Sequence, residues 1–183
     1  ADRLMYQAKN CKNMVVTEQT LLENGEVSRS AEHNKQQVLI VDDSEVNREL
    51  LSKMLGDEYH IIEAENGTEC MEILKQQGSA ISVVLLDIIM PVMNGFEVLE
   101  KMNNNHWIED VPVIMISSED SDAVIRRAYE MGISDYISRP FDARVVYQRV
   151  QNTIKLYAKQ RKLVSLVTEH INEKEKNNNM MIG

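Results

Sequence analysis

Short apolar runs alternate with amphipathic segments over most of the chain. The apolar runs lie at 38–41, 59–64, 81–86, 112–116 and 133–137. Between them, apolar residues recur every three or four positions, as they do in helices that bury one face. Strands that are apolar throughout indicate a parallel sheet covered by helices on both sides. The pattern therefore predicts an α/β fold with a doubly wound, five-stranded parallel sheet.

Two segments of different character flank this alternating region. Residues 1–16 have helical spacing, and the mostly polar residues 17–37 are expected to form a linker. From Asp142 the chain contains no Gly or Pro until Gly183, which predicts one long helix. We therefore expect four parts, which are a helical segment at 1–16, a linker at 17–37, a globular domain at 38–157, and an extended connector helix and tail at 158–183.

Composition and charge exclude several classes of protein. The 183 residues are 43% hydrophobic and 27% charged, which is typical of a folded chain with a core. A formal net charge of −9 argues against non-specific nucleic-acid binding, because that binding needs a basic surface. No apolar run approaches the roughly 18 residues that a membrane span needs, and no signal peptide opens the chain. Cys11 and Cys70 lack metal-ligand spacing and suit a reducing compartment. We expect a cytoplasmic protein that binds neither nucleic acid nor membranes.

Polar residues stand at the ends of four of the five predicted strands. Asp42 and Asp43 follow the first strand, Asp87 ends the third, Ser117 ends the fourth and Arg139 follows the fifth. Any one of them could be an ordinary turn or capping residue. Ligands of open parallel sheets bind beyond the carboxyl ends of the strands, where these residues would meet. Three converging carboxylates repel one another, and a hard divalent cation such as Mg²⁺ would relieve the repulsion.

Residues of about 37–157 resemble the receiver domain of bacterial two-component response regulators. The resemblance rests on four motifs in order, which are D42-D43, L86-D87-I88-I89-M90-P91-V92-M93-N94-G95, S117, and D135-Y136-I137-S138-R139-P140-F141. It implies a flavodoxin-like sheet with strand order 2-1-3-4-5, to which the sequence pattern adds the long C-terminal helix. It also implies that the domain acts as a switch controlled by phosphorylation.

The resemblance assigns roles to the acidic residues. Asp87 would be the phosphoacceptor, attacking the phosphoryl group of a phosphohistidine on a sensor histidine kinase or a phosphotransfer protein. Asp43, Asp87 and the backbone carbonyl of Ile89 would bind Mg²⁺, while Asp42 would act mainly through a metal-bound water. The chain would thus be a phosphoacceptor that phosphorylates itself on Asp87, which leaves open whether it counts as an enzyme.

Three further residues are expected to carry the response. Ser117 would hydrogen-bond a phosphoryl oxygen, and Tyr136 would move between exposed and buried rotamers. Arg139 stands where the family pattern has lysine, and the resemblance implies a cis peptide bond between Arg139 and Pro140. We expect its guanidinium group to lie near Asp87 or Asp43. Arginine keeps the positive charge but is planar and bulkier, which leaves the efficiency of signalling open.

The two ends of the chain carry shorter resemblances. A1-D2-R3-L4-M5-Y6-Q7-A8-K9 is similar to the last helix of diguanylate cyclase (GGDEF) domains. L156-Y157-A158-K159-Q160-R161-K162-L163 is similar to the connector helix before HD-GYP-type phosphodiesterases. Neither a GG[DE]EF signature nor a His-Asp pair after the connector is present, so the chain holds no cyclase or phosphodiesterase active site. These ends point to cyclic-di-GMP signalling, with the alternative that both are ordinary surface helices.

Three functions remain open at this point. The favoured one is a phosphorylation-controlled switch module, and a stand-alone nucleotide-signalling enzyme lacks its signatures here. The third is a phosphorylation-independent interaction or dimerisation module. We expect a homodimer, formed either through the face of the fourth helix, fifth strand and fifth helix or through the long helix. In that helix a partial heptad pattern comprises Val150, Ile154, Tyr157, Val164 and Ile171.

Overall fold

A computed structural model of the chain describes residues 35–181, with side chains described from 35 to 176. Nearly all of these residues belong to one compact unit, Gln36–Gly183. The predicted helix at 1–16, with its GGDEF-like segment, and most of the predicted linker lie outside the described residues. Their assignments therefore remain expectations.

Strands and helices alternate through the described part of the chain. The strands are β1 (Gln37–Val41), β2 (His60–Ala64), β3 (Ile81–Leu86), β4 (Val113–Ser117) and β5 (Asp135–Ser138). The helices are α1 (Glu45–Leu55), α2 (Gly67–Gln77), α3 (Gly95–Asn104), α4 (Asp122–Glu130) and α5 (Ala143–Met181). Two short 3₁₀ turns, Gly78–Ala80 and Trp107–Glu109, precede β3 and β4.

The five strands form one parallel sheet in the order β2-β1-β3-β4-β5. This arrangement confirms the predicted flavodoxin-like topology. The register aligns the last residue of β1, Val41, with Ala64 of β2 and Leu86 of β3. Ser117 of β4 is likewise paired with Ser138 of β5. The loops that follow β1 and β3 therefore begin side by side, at one edge of the sheet.

Helices cover both faces of the sheet and divide the core in two. On one face α2, α3 and α4 pack against alternate strand residues, including Leu39, Val84 and Met115. On the other face α1 and α5 pack against Val38 and Leu85. All five of these strand side chains are at most 1% exposed. Burial on both sides explains why the strands are apolar throughout rather than alternating.

The long helix α5 changes character along its length. Its first turns are part of the core, with Val150 fully buried and Ile154 4% exposed. Farther along, Leu163, Val164 and Ile171 are each half or more exposed. The sequence predicted one long helix here, and the structure confirms it. The helix extends beyond the core. Among the described residues, no helix combines the length and the apolar character that a membrane span requires.

Candidate functional site

Three aspartates meet where β1 and β3 end. Asp42 and Asp87 immediately follow these neighbouring strands, and the Asp87 N–H donates a hydrogen bond of 2.9 Å to the carbonyl of Val41. One carboxylate oxygen from each of Asp42, Asp43 and Asp87 lies within 4.8 Å of the other two. Asp42 and Asp87 are buried, whereas Asp43 is exposed. The predicted acidic residues are therefore brought together, with an open side at Asp43.

The loop after Asp87 folds back tightly on the acidic cluster. Asn94 begins α3 with a reciprocal capping box, in which its side chain accepts from the Glu97 N–H and the Glu97 carboxylate accepts from the Asn94 N–H. The Gly95 N–H then donates to the Ile88 carbonyl at 2.9 Å. A Cβ atom on Gly95 would lie 2.4 Å from the Asp87 carbonyl oxygen. This close approach requires glycine and fixes the backbone that carries Asp87.

The surroundings of Asp87 disfavour its negative charge. Burial raises the pKa of this carboxyl group above its ordinary value, and the neighbouring Asp42 raises it further. The Arg139 guanidinium, the Ser117 hydroxyl and the Ile88 N–H, which donates at 2.7 Å, act in the opposite direction. The net result is that the pKa of Asp87 is raised. A cation bound between the carboxylates would therefore favour the ionised form of Asp87, which burial disfavours.

Asp42 is held more firmly than its two acidic neighbours. Its Oδ1 accepts from the Ser44 N–H at 2.9 Å and from the Asn47 amide at 3.1 Å. Its Oδ2 accepts from the same amide at 3.2 Å and from Arg139. Arg48 is buried and donates to the backbone carbonyl of Asp42 at 2.9 Å. Both the side chain and the main chain of Asp42 are therefore fixed.

Arg139 enters the cluster from the loop after β5. The Arg139–Pro140 peptide bond is cis, as expected. Its Nη2 donates to Asp42 Oδ2, and its Nη1 lies 3.4 Å from Asp87 Oδ2. The sequence led us to expect the guanidinium group near Asp87 or Asp43. The expectation is right for Asp87, but Asp42 takes the place of Asp43 because it is the inward-facing member of the pair.

Ser117 and Tyr136 lie beside the cluster on β4 and β5. Ser117 is fully buried, and its hydroxyl accepts from the Glu119 N–H at 3.4 Å. Tyr136 is 6% exposed, and its hydroxyl donates to the Glu119 carbonyl. Burial raises the pKa of Tyr136, which keeps this hydroxyl protonated as a donor. The buried orientation of Tyr136 is thus the one present, tied to the same short loop as Ser117.

The structure adds two residues that the sequence reasoning missed, and the roles predicted for the site residues remain predictions. Asn47 and Arg48 fix Asp42 from the first turn of α1. Their signal was the pair of polar residues five and six positions after Asp42, where a helix begins beside the strand end. The side chain of Ile89 is 55% exposed, and the metal-binding role of its carbonyl remains a prediction.

Comparison with known proteins agrees with this geometry. Residues 38–151, well over half of the chain, match the model of the family described as "Response regulator receiver domain". The chain belongs to the response regulator receiver family. Receiver domains of this family bind Mg²⁺ at an acidic pocket, and the three aspartates form such a pocket here.

Curated relatives place this receiver domain in proteins of different lengths. It is 33% identical over 121 residues to "Response regulator RR06" of Streptococcus pneumoniae, covering 66% of this chain and 54% of the relative. It is 35% identical to a "Probable cyclic di-GMP phosphodiesterase" of Vibrio cholerae, covering 64% of this chain and 26% of the relative. A "Chemotaxis protein CheY homolog" of Campylobacter jejuni is 31% identical, with 64% and 91% covered. The chain thus spans about half and about a quarter of the first two relatives.

Solved structures share the fold of the receiver domain. The signal receiver domain of a Luxo repressor protein from Vibrio parahaemolyticus matches with a TM-score of 0.65 and 25% identity, covering 71% of this chain and 97% of that one. A CheX-CheY-BeF3-Mg complex from Borrelia burgdorferi matches with a TM-score of 0.58 and 32% identity, covering 63% and 87%. Both matches agree with the fold described above.

Proposed function

We propose that this receiver domain is a phosphoacceptor switch that takes a phosphoryl group on Asp87 from a sensor histidine kinase or a phosphotransfer protein. One observation carries the proposal. One carboxylate oxygen from each of three aspartates lies within 4.8 Å of the other two, beside the Arg139 guanidinium group, at the carboxyl end of a parallel sheet. This arrangement supplies a nucleophile, oxygen ligands for a divalent cation and a positive charge for the product.

The donor set fits Mg²⁺, which prefers a small number of carboxylates together with water. Asp43, Asp87 and the carbonyl of Ile89 would hold it, and Asp42 would contact it through water. Bound there, Mg²⁺ would neutralise charge on the oxygens of the transferred phosphoryl group. The exposed Asp43 carboxylate leaves this side of the cluster open to the ion and to the phosphoryl donor.

The chain's own residues account for the remaining steps. A carboxylate oxygen of Asp87 attacks the phosphorus atom, and the bond to the donor's imidazole nitrogen breaks with its electrons remaining on that nitrogen. Ser117 and Arg139 both interact with the Asp87 carboxylate and would donate to the oxygens of the new aspartyl phosphate. A shift of the loop at Ser117 would break the bond between Tyr136 and Glu119, which couples the site to the surface of α4 and β5.

Labelling with acetyl phosphate tests the proposal directly. In Mg²⁺ buffer, intact-mass measurement should show one added phosphoryl group on the wild-type chain and none on Asp87→Asn. Asp43→Asn should weaken Mg²⁺ binding and slow labelling strongly, because it removes a metal ligand. Asp57→Asn, which removes an exposed carboxylate outside the site, is the matched control. Labelling of Asp87→Asn at the wild-type rate would reject Asp87 as the acceptor.

The exposed part of α5 favours a second candidate, a dimerisation module that does not depend on phosphate. Val164, Val167 and Ile171 follow a spacing of three and four and are each half or more exposed. We infer that this stripe pairs with α5 of a second copy. Light scattering of wild-type protein should give a dimer, and Val164→Glu should give a monomer that is still labelled on Asp87. A monomeric wild-type chain at high concentration would reject pairing through α5.

The long helix α5 and one relative connect this domain to a wider pathway. The α5 segment resembles connectors that precede HD-GYP domains, and one relative is named a cyclic di-GMP phosphodiesterase. We infer that the receiver domain controls an output of that signalling system through α5. Fusing α5 to such an output domain and measuring its activity with and without phosphorylation would test the link.

A further inference from the structure

Asn47 holds both oxygens of the Asp42 carboxylate. Its amide nitrogen is 3.1 Å from Asp42 Oδ1 and 3.2 Å from Oδ2. The Ser44 N–H adds a bond of 2.9 Å to Oδ1, and Arg48 fixes the Asp42 carbonyl at 2.9 Å. Because Asp42 is only 1% exposed, water hardly competes for these bonds. Contacts from α1 and the residue preceding it therefore set the orientation of this carboxylate.

The fixed carboxylate in turn determines where the Arg139 guanidinium lies. Nη2 contacts Asp42, whereas Nη1 is 3.4 Å from Asp87. Charge-assisted bonds between such groups are normally about 2.7–2.9 Å long, so the contact with Asp87 is the weaker one. Nε of Arg139 is buried and has no hydrogen-bond partner among the described residues. The guanidinium is thus divided between two carboxylates and satisfied by neither alone.

A different pairing would satisfy more of the hydrogen-bond donors of Arg139 but would block Asp87. A guanidinium group binds a single carboxylate most strongly through two parallel N–H···O bonds. Closing on Asp87 through the Nε–Nη2 edge of the guanidinium group would give Nε a partner and remove an unsatisfied buried donor. The same pairing would occupy the Asp87 oxygens that must bind Mg²⁺ and attack phosphorus. Something must therefore keep Arg139 on Asp42.

We propose that Asn47 is the positioning residue that keeps Arg139 on Asp42 and leaves Asp87 open. The inference rests on the proposed function of Asp87 and adds a role for a residue on α1. Lysine carries a compact charge and cannot form the two-armed pairing. The requirement for Asn47 therefore arises from the arginine at position 139.

Mg²⁺ affinity in a double-mutant cycle tests this role. Asn47→Leu keeps the size of the side chain and removes the donor. Its Mg²⁺ dissociation constant, measured by calorimetry on the full chain, should rise about tenfold, the effect of one hydrogen bond to a charged group. In an Arg139→Gln background the same substitution should change the constant less than about twofold. Val46→Ala, in the same turn and 75% exposed, is the control and should match the wild type.

Two results would overturn the proposal. One is an equal effect of Asn47→Leu in both backgrounds, since Asn47 would then act without Arg139. The other is no effect in the wild-type background. Asn47→Ala provides a second variant with the same expected result if the leucine variant does not fold.

A nuclear magnetic resonance signal separates this proposal from the function of Asp87. In metal-free protein, the Nε–H signal of Arg139 should move downfield in Asn47→Leu, because Nε gains Asp87 as an acceptor. It should keep its position in Val46→Ala. This readout needs neither Mg²⁺ nor phosphate. If the signal moves but the protein is never phosphorylated, the proposed function fails and the role of Asn47 stands. If the signal does not move, the role of Asn47 fails.

Discussion

Replacing Asp87 with asparagine should make the metal-free protein more stable. The substitution keeps the shape of the side chain and removes one of two buried negative charges. Asp87 is 7% exposed, and burial and Asp42 together raise its pKa. Its ionised form is therefore less favourable in the folded chain than in the unfolded chain. The proposed phosphoacceptor therefore destabilises the metal-free fold, and a bound cation should remove this effect.

The contacts of Asp87 set the size of the effect. Asparagine can still accept from the Ile88 N–H, which is 2.7 Å from Oδ1. The substitution also loses the attraction of Arg139, which lowers the pKa of Asp87 more than any other neighbour does and so offsets part of the gain. Arg139 keeps Asp42 as its nearer partner. We expect Asp87→Asn to gain about 1 kcal/mol in the free energy of unfolding, a typical gain at a functional site. For a chain of this size that gain raises the melting temperature by about 2–4 °C.

The gain should depend on pH in a definite direction. Because the pKa of Asp87 is raised, its favourable contribution to stability is fully present below its ordinary value of 3.8. That contribution is lost as the pH rises through the higher pKa of the folded state. Asp87→Asn should therefore differ little from wild type in acid and become relatively more stable as the pH rises toward neutrality.

Thermal unfolding followed by circular dichroism measures this difference. Asp57→Asn makes the same change in net charge at an exposed position and should alter stability by less than about 0.5 kcal/mol. Mg²⁺ at ten times its dissociation constant should stabilise wild type by about 1.4 kcal/mol and Asp87→Asn by much less. The reasoning fails if metal-free Asp87→Asn unfolds at a lower temperature than wild type at neutral pH.

Three further outcomes can be measured on the same protein. Gly95→Ala should lose about 1–3 kcal/mol in chemical denaturation, because its Cβ would lie 2.4 Å from a backbone oxygen, while Gly78→Ala, which meets nothing within 4 Å, should not. Burial raises the pKa of Cys70 to about 12, so peptide mass mapping should find it unalkylated in the folded protein and alkylated after unfolding. Arg139→Lys should be phosphorylated at least as fast as wild type, whereas Arg139→Ala should still bind Mg²⁺ but lose the switch response. Slower labelling of Arg139→Lys would contradict the expected tolerance of lysine.

The strands could be predicted from the sequence because they are buried on both faces. Each predicted apolar run overlaps its strand, and β3 matches at both ends. The largest difference is at β5, where the run began at Ile133 but the strand begins at Asp135. Ile133 is buried, yet it follows a turn at Gly132, whose φ is +95°. The apolar character of Ile133 reflects its burial, whereas the turn at Gly132 determines where the strand starts.

The site residues could be predicted more fully than their pairings. Strand ends of a parallel sheet lie at one edge, so the convergence of the acidic residues followed from their positions in sequence. The partners of Asp42 did not follow, because an amide on α1 reaches it only once the helix has packed. The same limit explains why the second partner of Arg139, besides the expected Asp87, is Asp42 and not Asp43. Two consecutive aspartates in the sequence do not reveal which of the two side chains points into the interior.

The structure separates the two members of that acidic pair by environment. Successive residues leaving a strand point in opposite directions, so Asp42 faces inward and Asp43 faces outward. Asp42 has two donors on each carboxylate oxygen, whereas the Asp43 carboxylate accepts no hydrogen bond from the described residues. An ion entering from solvent therefore meets unsatisfied oxygens on Asp43 first. Asp42 is better suited to hold Arg139 than to bind metal directly, and exchanging the two roles would require the strand end to rotate.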